Sequence, residues 1–404
     1  MFDGPLKGVR VLALENAIAG PYGSMIMADL GAEVIKIEPP EGELSRSFAG
    51  PKKAGESFYF LSFNKNKKSI VLDLMTPSGK RAFFDLVKIS DVVWNNFRPG
   101  VMERLGLGYE TLKKINPTII YCSVSGYGSS GPYMHKPSYE IIVQGISGML
   151  SVTGEPGRPP VRPGVPIADM AASLFGVIGV LSALHRRNIR GEGEKVEVAL
   201  LDICVSLMTY LISYYFCSGD IPSPQGTGHR GVAPYGVFRA KDGYVALGLS
   251  WPRIADAIGA PWLKDDPRFK EVEERVKNQE ELKRIIEEHL SKKEVSYWVK
   301  VFEEHDVAGG PVNNVKETCE DPQVLHRKMI LSLKKDSEEI KVVGNPVKME
   351  GIDDSEFTPP PSLGEHTSYV LKELLGYSDE DIERMRGEME SRKEERIKHT
   401  RRQI

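Results

Sequence analysis

Residues 8–38, GVRVLALENAIAGPYGSMIMADLGAEVIKIE, decide how the chain is built. Residues 8–14 read as a short buried strand, because a strand covered on both faces of a parallel sheet is apolar without alternation. A loop over 15–20 follows, and Pro21 suits the first turn of a helix, where its missing N–H would have no partner anyway. The helix is expected to run to about Leu30, with Gly31 ending it. Residues 33–38 form a second strand, stopped by Pro39-Pro40. Strand, helix and strand at this spacing make a βαβ unit, which requires a parallel sheet and a right-handed crossover.

Outward from this unit the alternation continues. Strands are expected over 69–72, 91–94 and 118–124, and helices over 77–87, 109–115 and 139–150. The pattern is doubly wound α/β, and ligands of such sheets gather beyond the carboxyl ends of the strands. The loops there are 15–20, 95–100 and 125–132. Two apolar runs, 170–184 and 200–216, fall short of the roughly 20 residues that span a bilayer and are expected to be core helices. The texture then changes. Residues 217–232, rich in Ser, Pro and Gly, read as a linker. A hairpin over 235–249, closed at Lys241-Asp242-Gly243, and amphipathic helices near 278–290 and 293–305 suggest a second, smaller α+β domain. A strand over 339–343 and a Pro-rich stretch, 346–361, lead to a final helix. Acids and bases alternate through 388–404, which reads as a solvated or frayed helix and not as a nucleic-acid arm.

Bulk properties agree with an ordinary soluble globular protein. The chain has 404 residues, 41% of them apolar and 27% charged, too many for one small core. A formal net charge of -3 gives no reason to expect nucleic acid or an anionic membrane as partner. Cys122, Cys204, Cys217 and Cys319 lie far apart, which suits free thiols in a reducing compartment. The N-terminus lacks the pattern of a secretory signal, so a cytoplasmic location is expected. No dinucleotide fingerprint follows the first strand, no phosphate loop of Walker type is present, and the histidines lack metal spacing.

Within the loop-to-helix passage Arg162-Pro163-Gly164-Val165-Pro166-Ile167-Ala168-Asp169-Met170, one acid stands at the helix entrance. Asp169 has two readings. It is a helix cap, which local sequence favours, or a nucleophile or base at the rim of an active site. Asn96-Phe97-Arg98-Pro99-Gly100, just after a strand and before Arg104, is either a capping turn or an anion and adenine site. There Asn would supply hydrogen bonds, Phe a stacking face and the arginines charge. Gly126-Tyr127-Gly128-Ser129-Ser130-Gly131 lacks the spacing of a nucleophile elbow and reads as a flexible loop.

These elements, in this order, resemble the family III coenzyme A transferases, which include formyl-CoA and carnitine CoA-transferases and, as a branch, α-methylacyl-CoA racemase. The resemblance rests on Ala19-Gly20-Pro21, the run from Gly31 to Pro40, Asn64-Lys65-Asn66-Lys67-Lys68-Ser69-Ile70 and Asn96-Phe97-Arg98-Pro99-Gly100. It continues through Ser125-Gly126-Tyr127-Gly128, Ile167-Ala168-Asp169, Asp321-Pro322 and Leu363-Gly364-Glu365-His366-Thr367. It implies a large Rossmann-like domain from 1–216 and 325–404, a linker at 217–232, a small α+β domain at 233–324, and a homodimer of two interlocked rings. It also implies an enzyme that moves coenzyme A from an acyl-CoA to a carboxylic acid, with the thioester as substrate and neither a bound cofactor nor a metal.

On this resemblance Asp169 is the nucleophile, passing through an aspartyl anhydride and an aspartyl-CoA thioester, with Glu140 in support. Ionised Asp169, held at the helix N-terminus, is the expected reactive form. Ile18, Ala19, Leu72, Asp73, Leu74, Met75, Asn96, Phe97, Arg98, Arg104, Pro137, Ser138 and Tyr139 fall on the coenzyme A site, with Lys36 and Lys136 weaker members. Arg158 and Arg162 are candidates for the acceptor carboxylate. Two departures matter. Ile18 replaces the glutamine of formyl-CoA transferases, and Gly248-Leu249-Ser250-Trp251-Pro252 has no glycine run; both point to a larger or more apolar acid than formate or oxalate. Tyr139-Glu140 stands where the racemase branch has His-Asp, and a two-base racemase needs that second proton-transfer group. An α-carbon isomerase and a non-catalytic acyl-CoA binder are the alternatives.

Overall fold

Six runs rich in Val, Ile and Leu form one parallel sheet: β1 (Arg10–Leu14), β2 (Glu33–Glu38), β3 (Lys67–Val71), β4 (Val92–Asn95), β5 (Ile120–Ser125) and β6 (Lys195–Ala199). Their order is β3-β2-β1-β4-β5-β6, with every neighbouring pair parallel. This is the doubly wound arrangement in which strand order reverses between β1 and β4. β1, β2 and β4 are buried almost throughout, which is why they read as continuous apolar runs. β6 went unread because only its alternate residues turn inward, leaving Lys195 and Glu197 on the open face. The computed structural model describes residues 3–402, with side chains through Arg392.

Helices α1 (Pro21–Asp29), α2 (Pro77–Lys88), α3 (Glu140–Ile146), α4 (Ile167–Arg190) and α5 (Leu200–Leu207) pack around this sheet. Trp94 of β4 locks two of them in place. It is fully buried and its indole N–H donates to Gly20 O at 2.9 Å. A Cβ on Gly23 of α1 or on Gly176 of α4 would sit 2.4 or 2.5 Å from its ring, so both helices need glycine to reach it. α4 is longer than the apolar run read from the sequence. Among the described residues it is the one single helix long and apolar enough to cross a membrane. It nevertheless packs on β5, β6 and α1, and its Arg187 pairs with Asp91 at 2.9 Å.

The free edge of β3 is covered by the Gly364-Glu365-His366-Thr367 turn. Gly364 N–H donates to Ser69 Oγ, His366 N–H to Ser69 O, and Thr367 Oγ1 accepts Val71 N–H. That turn therefore closes an exposed strand edge. Farther on, Val370, Leu371, Ile382 and Met385 join Phe83 and Leu86 of α2 in one core. The reading of 388–404 as a solvated end is corrected at its start: Glu388 Oε2 accepts Ser78 N–H at 3.1 Å and Ser78 Oγ–H at 2.6 Å, capping α2. The side chains beyond Arg392 lie outside the described residues.

Contacts divide the chain into two units. One holds Met1–Ser147, Gly164–Met208 and Leu325–Ile404; the other holds Gly148–Pro163 and Thr209–Val324. Segments 148–163 and 209–216, assigned from sequence to the large domain, cluster with the second unit, where Gly226 N–H bonds Gly154 O at 2.9 Å. Three antiparallel strands make the second unit's sheet: β7 (Gly236–Arg239), β8 (Tyr244–Leu247) and β9 (Gly309–Pro311). The turn between the first two is closed by Ala240 N–H to Gly243 O at 2.9 Å. Phe238, Val245, Ile286, Leu290, Trp298 and Phe302 are buried in one cluster beneath it.

Candidate active site

Beyond the carboxyl ends of β1, β4 and β5, where strand order reverses, the first unit carries a cavity of about 320 Å³. Its walls come from Asn16, Ala17, Ile18 and Ala19 after β1, Asn96 to Pro99 after β4, and Val124 to Tyr127 at the end of β5. Lys136, Ser138, Tyr139 and Glu140 close another side, and Asp169 enters from the first turn of α4.

The β1 loop is held from several directions. Asn96 Oδ1 accepts Asn16 N–H and Asn96 Nδ2 donates to Asn16 O, both at 2.9 Å. Ala17 N–H reaches Glu43 Oε2 at 3.3 Å, and Ser173 Oγ bonds Ala19 O at 2.7 Å. Asn96 thus lines the cavity, but its amide is engaged with the Asn16 backbone instead of standing ready for a base. The same Ser173 hydroxyl lies 2.9 Å from Asp169 O, so it ties this loop to the turn of α4 that carries the acid.

Asp169 is the third residue of α4. The expected cap is not made: Pro166 occupies the capping position, and no side chain of that position bonds the helix. Instead Glu140, the first residue of α3, accepts Ala168 N–H with Oε1 at 3.1 Å. Half-buried Asp169 is left facing into the cavity. Burial, and secondly the negative charge of Glu140, push its carboxyl up to about 7. Burial and a neighbouring acid thus act against the helix dipole, which by itself would favour the ionised carboxylate.

Ile18, Ala19, Asn96, Phe97, Arg98, Lys136, Ser138, Tyr139, Glu140 and Asp169 all line this cavity. Arg98 and Lys136 are exposed cations at its rim, the ammonium of Lys136 lying 3.7 Å from the Tyr133 ring centroid. Pro137 is exposed between two lining residues. The segment after β3 is not brought here. Leu72 is in the core, Leu74 packs on it, Asp73 pairs with Arg392 at 2.8 Å, and Met75 is exposed. Its strand is the sheet edge, two strands from β1. Arg104 ends the short helix Val101–Arg104 on the surface.

Lys36 is not among the residues that line the cavity. It is fully buried, 3.2 Å from Glu15 Oε1 and 3.9 Å from Glu43 Oε1, within a cluster that includes Lys67. Arg158 and Arg162 are exposed residues of the second unit. Sequence reasoning passed over Asn16, Ser173 and Gln144. Asn16 and Ser173 take partners 80 and 154 positions away, which no local signal announces, whereas Gln144 bonds Glu140 one helical turn before it.

The cavity thus combines a half-buried carboxyl, loop walls from three strand ends and two exposed cations. The chain belongs to CoA-transferase family III, whose sequence model matches residues 6–367, and it is a transferase. It is 37% identical over 94% of its length to succinyl-CoA:glutarate CoA-transferase of Mus musculus, covering 89% of that protein. It is 38% identical over 92% of its length to acetyl-CoA:oxalate CoA-transferase of Acetobacter aceti, covering 96% of that protein. A CAIB/BAIF family protein from Brucella suis superposes with a TM-score of 0.83 at 32% identity, over 92% of this chain and 100% of that one.

Proposed function

We propose that the protein moves coenzyme A between two carboxylic acids by covalent catalysis at Asp169. The observation that carries the reading is a half-buried carboxyl, aimed into the switch-point cavity and titrating close to neutral pH. A group of that acidity is ionised often enough to attack and basic enough to be a competent nucleophile. The carboxylate attacks the thioester carbonyl; a C–O bond forms, the C–S bond breaks, and coenzyme A leaves as thiolate, giving a mixed anhydride. The thiolate then attacks the Asp169 acyl carbon, forming an aspartyl thioester and releasing the donor acid as its carboxylate. The acceptor carboxylate repeats the two displacements in reverse and restores Asp169. No proton is consumed overall.

Arg98 and Lys136 at the rim would hold the phosphates of coenzyme A, with the Phe97 side chain beside them. Ile18, only 5% exposed and apolar, favours an acid of glutarate size over oxalate, in line with the name of the mouse relative. We assign short dicarboxylic acids as the acceptor class and the cytoplasm as the compartment. We also infer a homodimer of interlocked rings. Leu174, Phe175, Ile178 and Leu181 leave an exposed apolar stripe along α4, and the helix Thr209–Ser218 of the second unit buries none of its residues, which favours cover by a second copy. The test is transfer from succinyl-CoA to glutarate, oxalate and acetate, followed by product chromatography. Wild type should form glutaryl-CoA fastest and Asp169→Ala should form none; full transfer by Asp169→Ala would end the proposal.

A further inference from the structure

The cavity wall after β1 holds one residue in a backbone conformation that it disfavours. Ala17 has a φ of 60°, in the left-handed region, where its Cβ crowds the chain and a glycine would sit without that cost. It lines the cavity beside Ile18 and Ala19. Its neighbours are tied down separately: Asn96 bonds both backbone groups of Asn16, and Ser173 Oγ bonds Ala19 O. Ala17 itself is held through its N–H, which donates to Glu43 Oε2 at 3.3 Å. In return Leu44, the residue after that acid and another wall of the cavity, donates its N–H to Asn16 Oδ1 at 3.3 Å. Glu43 is only 3% exposed and does not line the cavity. Its carboxylate is fixed from behind: Ser45 N–H donates to Oε2 at 3.0 Å, Ser45 Oγ–H donates to Oε1, and Lys36 Nζ lies 3.9 Å from Oε1.

We propose that Glu43 is a positioning residue for the transfer: its carboxylate, backed by Ser45 and Lys36, holds Ala17 in the left-handed conformation that sets Ile18 and Ala19 as a wall of the acyl-CoA cavity. Strained backbone persists where its surroundings over-determine it, and it gathers at functional sites. Released from Glu43, Ala17 returns to negative φ, and the loop is competent in a minority of molecules. Apparent affinity then falls by the competent fraction, so KM rises while kcat is kept. A role in stability alone would lower the amount of active protein and leave KM unchanged. The kinetic consequence rests on the transfer reading; the backbone consequence does not.

Two variants separate reach from charge. Glu43→Asp keeps the charge beside Lys36 and draws the oxygens back by one methylene, whereas Glu43→Gln keeps the reach and gives up the charge. With succinyl-CoA and glutarate as probes, KM for succinyl-CoA should rise about tenfold in Glu43→Asp, the bias against a left-handed alanine, and stay within about twofold of wild type in Glu43→Gln. Ala17→Gly added to Glu43→Asp should recover most of that rise, because glycine takes positive φ freely. Glu43→Ala takes the place of the aspartate form should that form fail to fold. Crystal structures of wild type and Glu43→Asp read φ at Ala17 without turnover. A positive φ in wild type that turns negative in the variant supports the proposal; a positive φ kept in the variant, or an equal KM rise in Glu43→Gln, overturns it. Wild type that transfers nothing while φ turns as expected would refute the transfer reading and leave the Glu43 assignment standing.

Discussion

Two acids flank the loop over 15–20, and the fold treats them in opposite ways. Glu15, at the carboxyl end of β1, is 2% exposed, with Lys67 Nζ at 2.7 Å, Lys36 Nζ at 3.2 Å and Ser24 Oγ at 2.7 Å. Burial alone would raise its carboxyl, but the two lysines outweigh it and hold the group below the ordinary range. Lys67 in turn is drawn down to about 8 by burial, against the pull of Glu15. Asp169, across the same loop, is pushed up to about 7 by burial first and by the charge of Glu140 second. A buried charge with partners fixes a wall, whereas a charge faced by its own sign is kept reactive. The difference lies in what each acid is set against.

The contrast is broken most severely from the structural side. Lys67→Met leaves Glu15 with one cation in a dry site, and urea unfolding at pH 8 should show a loss of about 3–5 kcal/mol. Asp169→Asn should behave oppositely. The folded protein holds the Asp169 proton up to about pH 7, whereas the unfolded chain releases it near the ordinary value of 3.8. Between those values the native state binds the extra proton, so wild-type stability falls as pH rises through the window and is level above it. The asparagine variant lacks that fall and should exceed wild type at pH 8 by roughly 1–3 kcal/mol, with little difference at pH 4.

Kinetics sharpen the same comparison. Transfer from succinyl-CoA should decline about tenfold per pH unit below the Asp169 midpoint near 7 and be flat just above it, in a pH profile of kcat/KM. A profile level down to pH 5 would mean that Glu140 takes the proton first. The smallest effect belongs to the strut between the two regions. Asn96→Ala removes both bonds to the Asn16 backbone and should raise KM for the acyl-CoA a few-fold, with about 1 kcal/mol of stability lost in the same unfolding assay.

Much of this was legible in the sequence, for a physical reason. Strands buried on both faces, such as residues 11–14 and 92–95, must be apolar throughout, and their loops must carry whatever binds ligand. The edge strand β6 was not read, and the docking of Glu388 and Arg392 on the C-terminal helix was not foreseen, because each element is polar on one face and docked on the other. Asp169 was found by position, yet its state was not. Glu140, 28 positions away, takes the Ala168 N–H that a local cap would have filled. Asn96 and Asn16 meet across 80 positions, so an amide that looked free for a base is engaged. Lys36 was placed at the coenzyme A site by the resemblance alone, and its side chain lies in the Glu15 cluster.

Covalent catalysis at Asp169 is tested most directly by trapping. The protein is incubated with succinyl-CoA and no acceptor, quenched with hydroxylamine, digested and read by peptide mass spectrometry. The account predicts a hydroxamate on Asp169 in the peptide spanning the start of α4, and none in Asp169→Asn. An unmodified Asp169 in a preparation that still transfers coenzyme A, or a hydroxamate on Glu140 in its place, would contradict it.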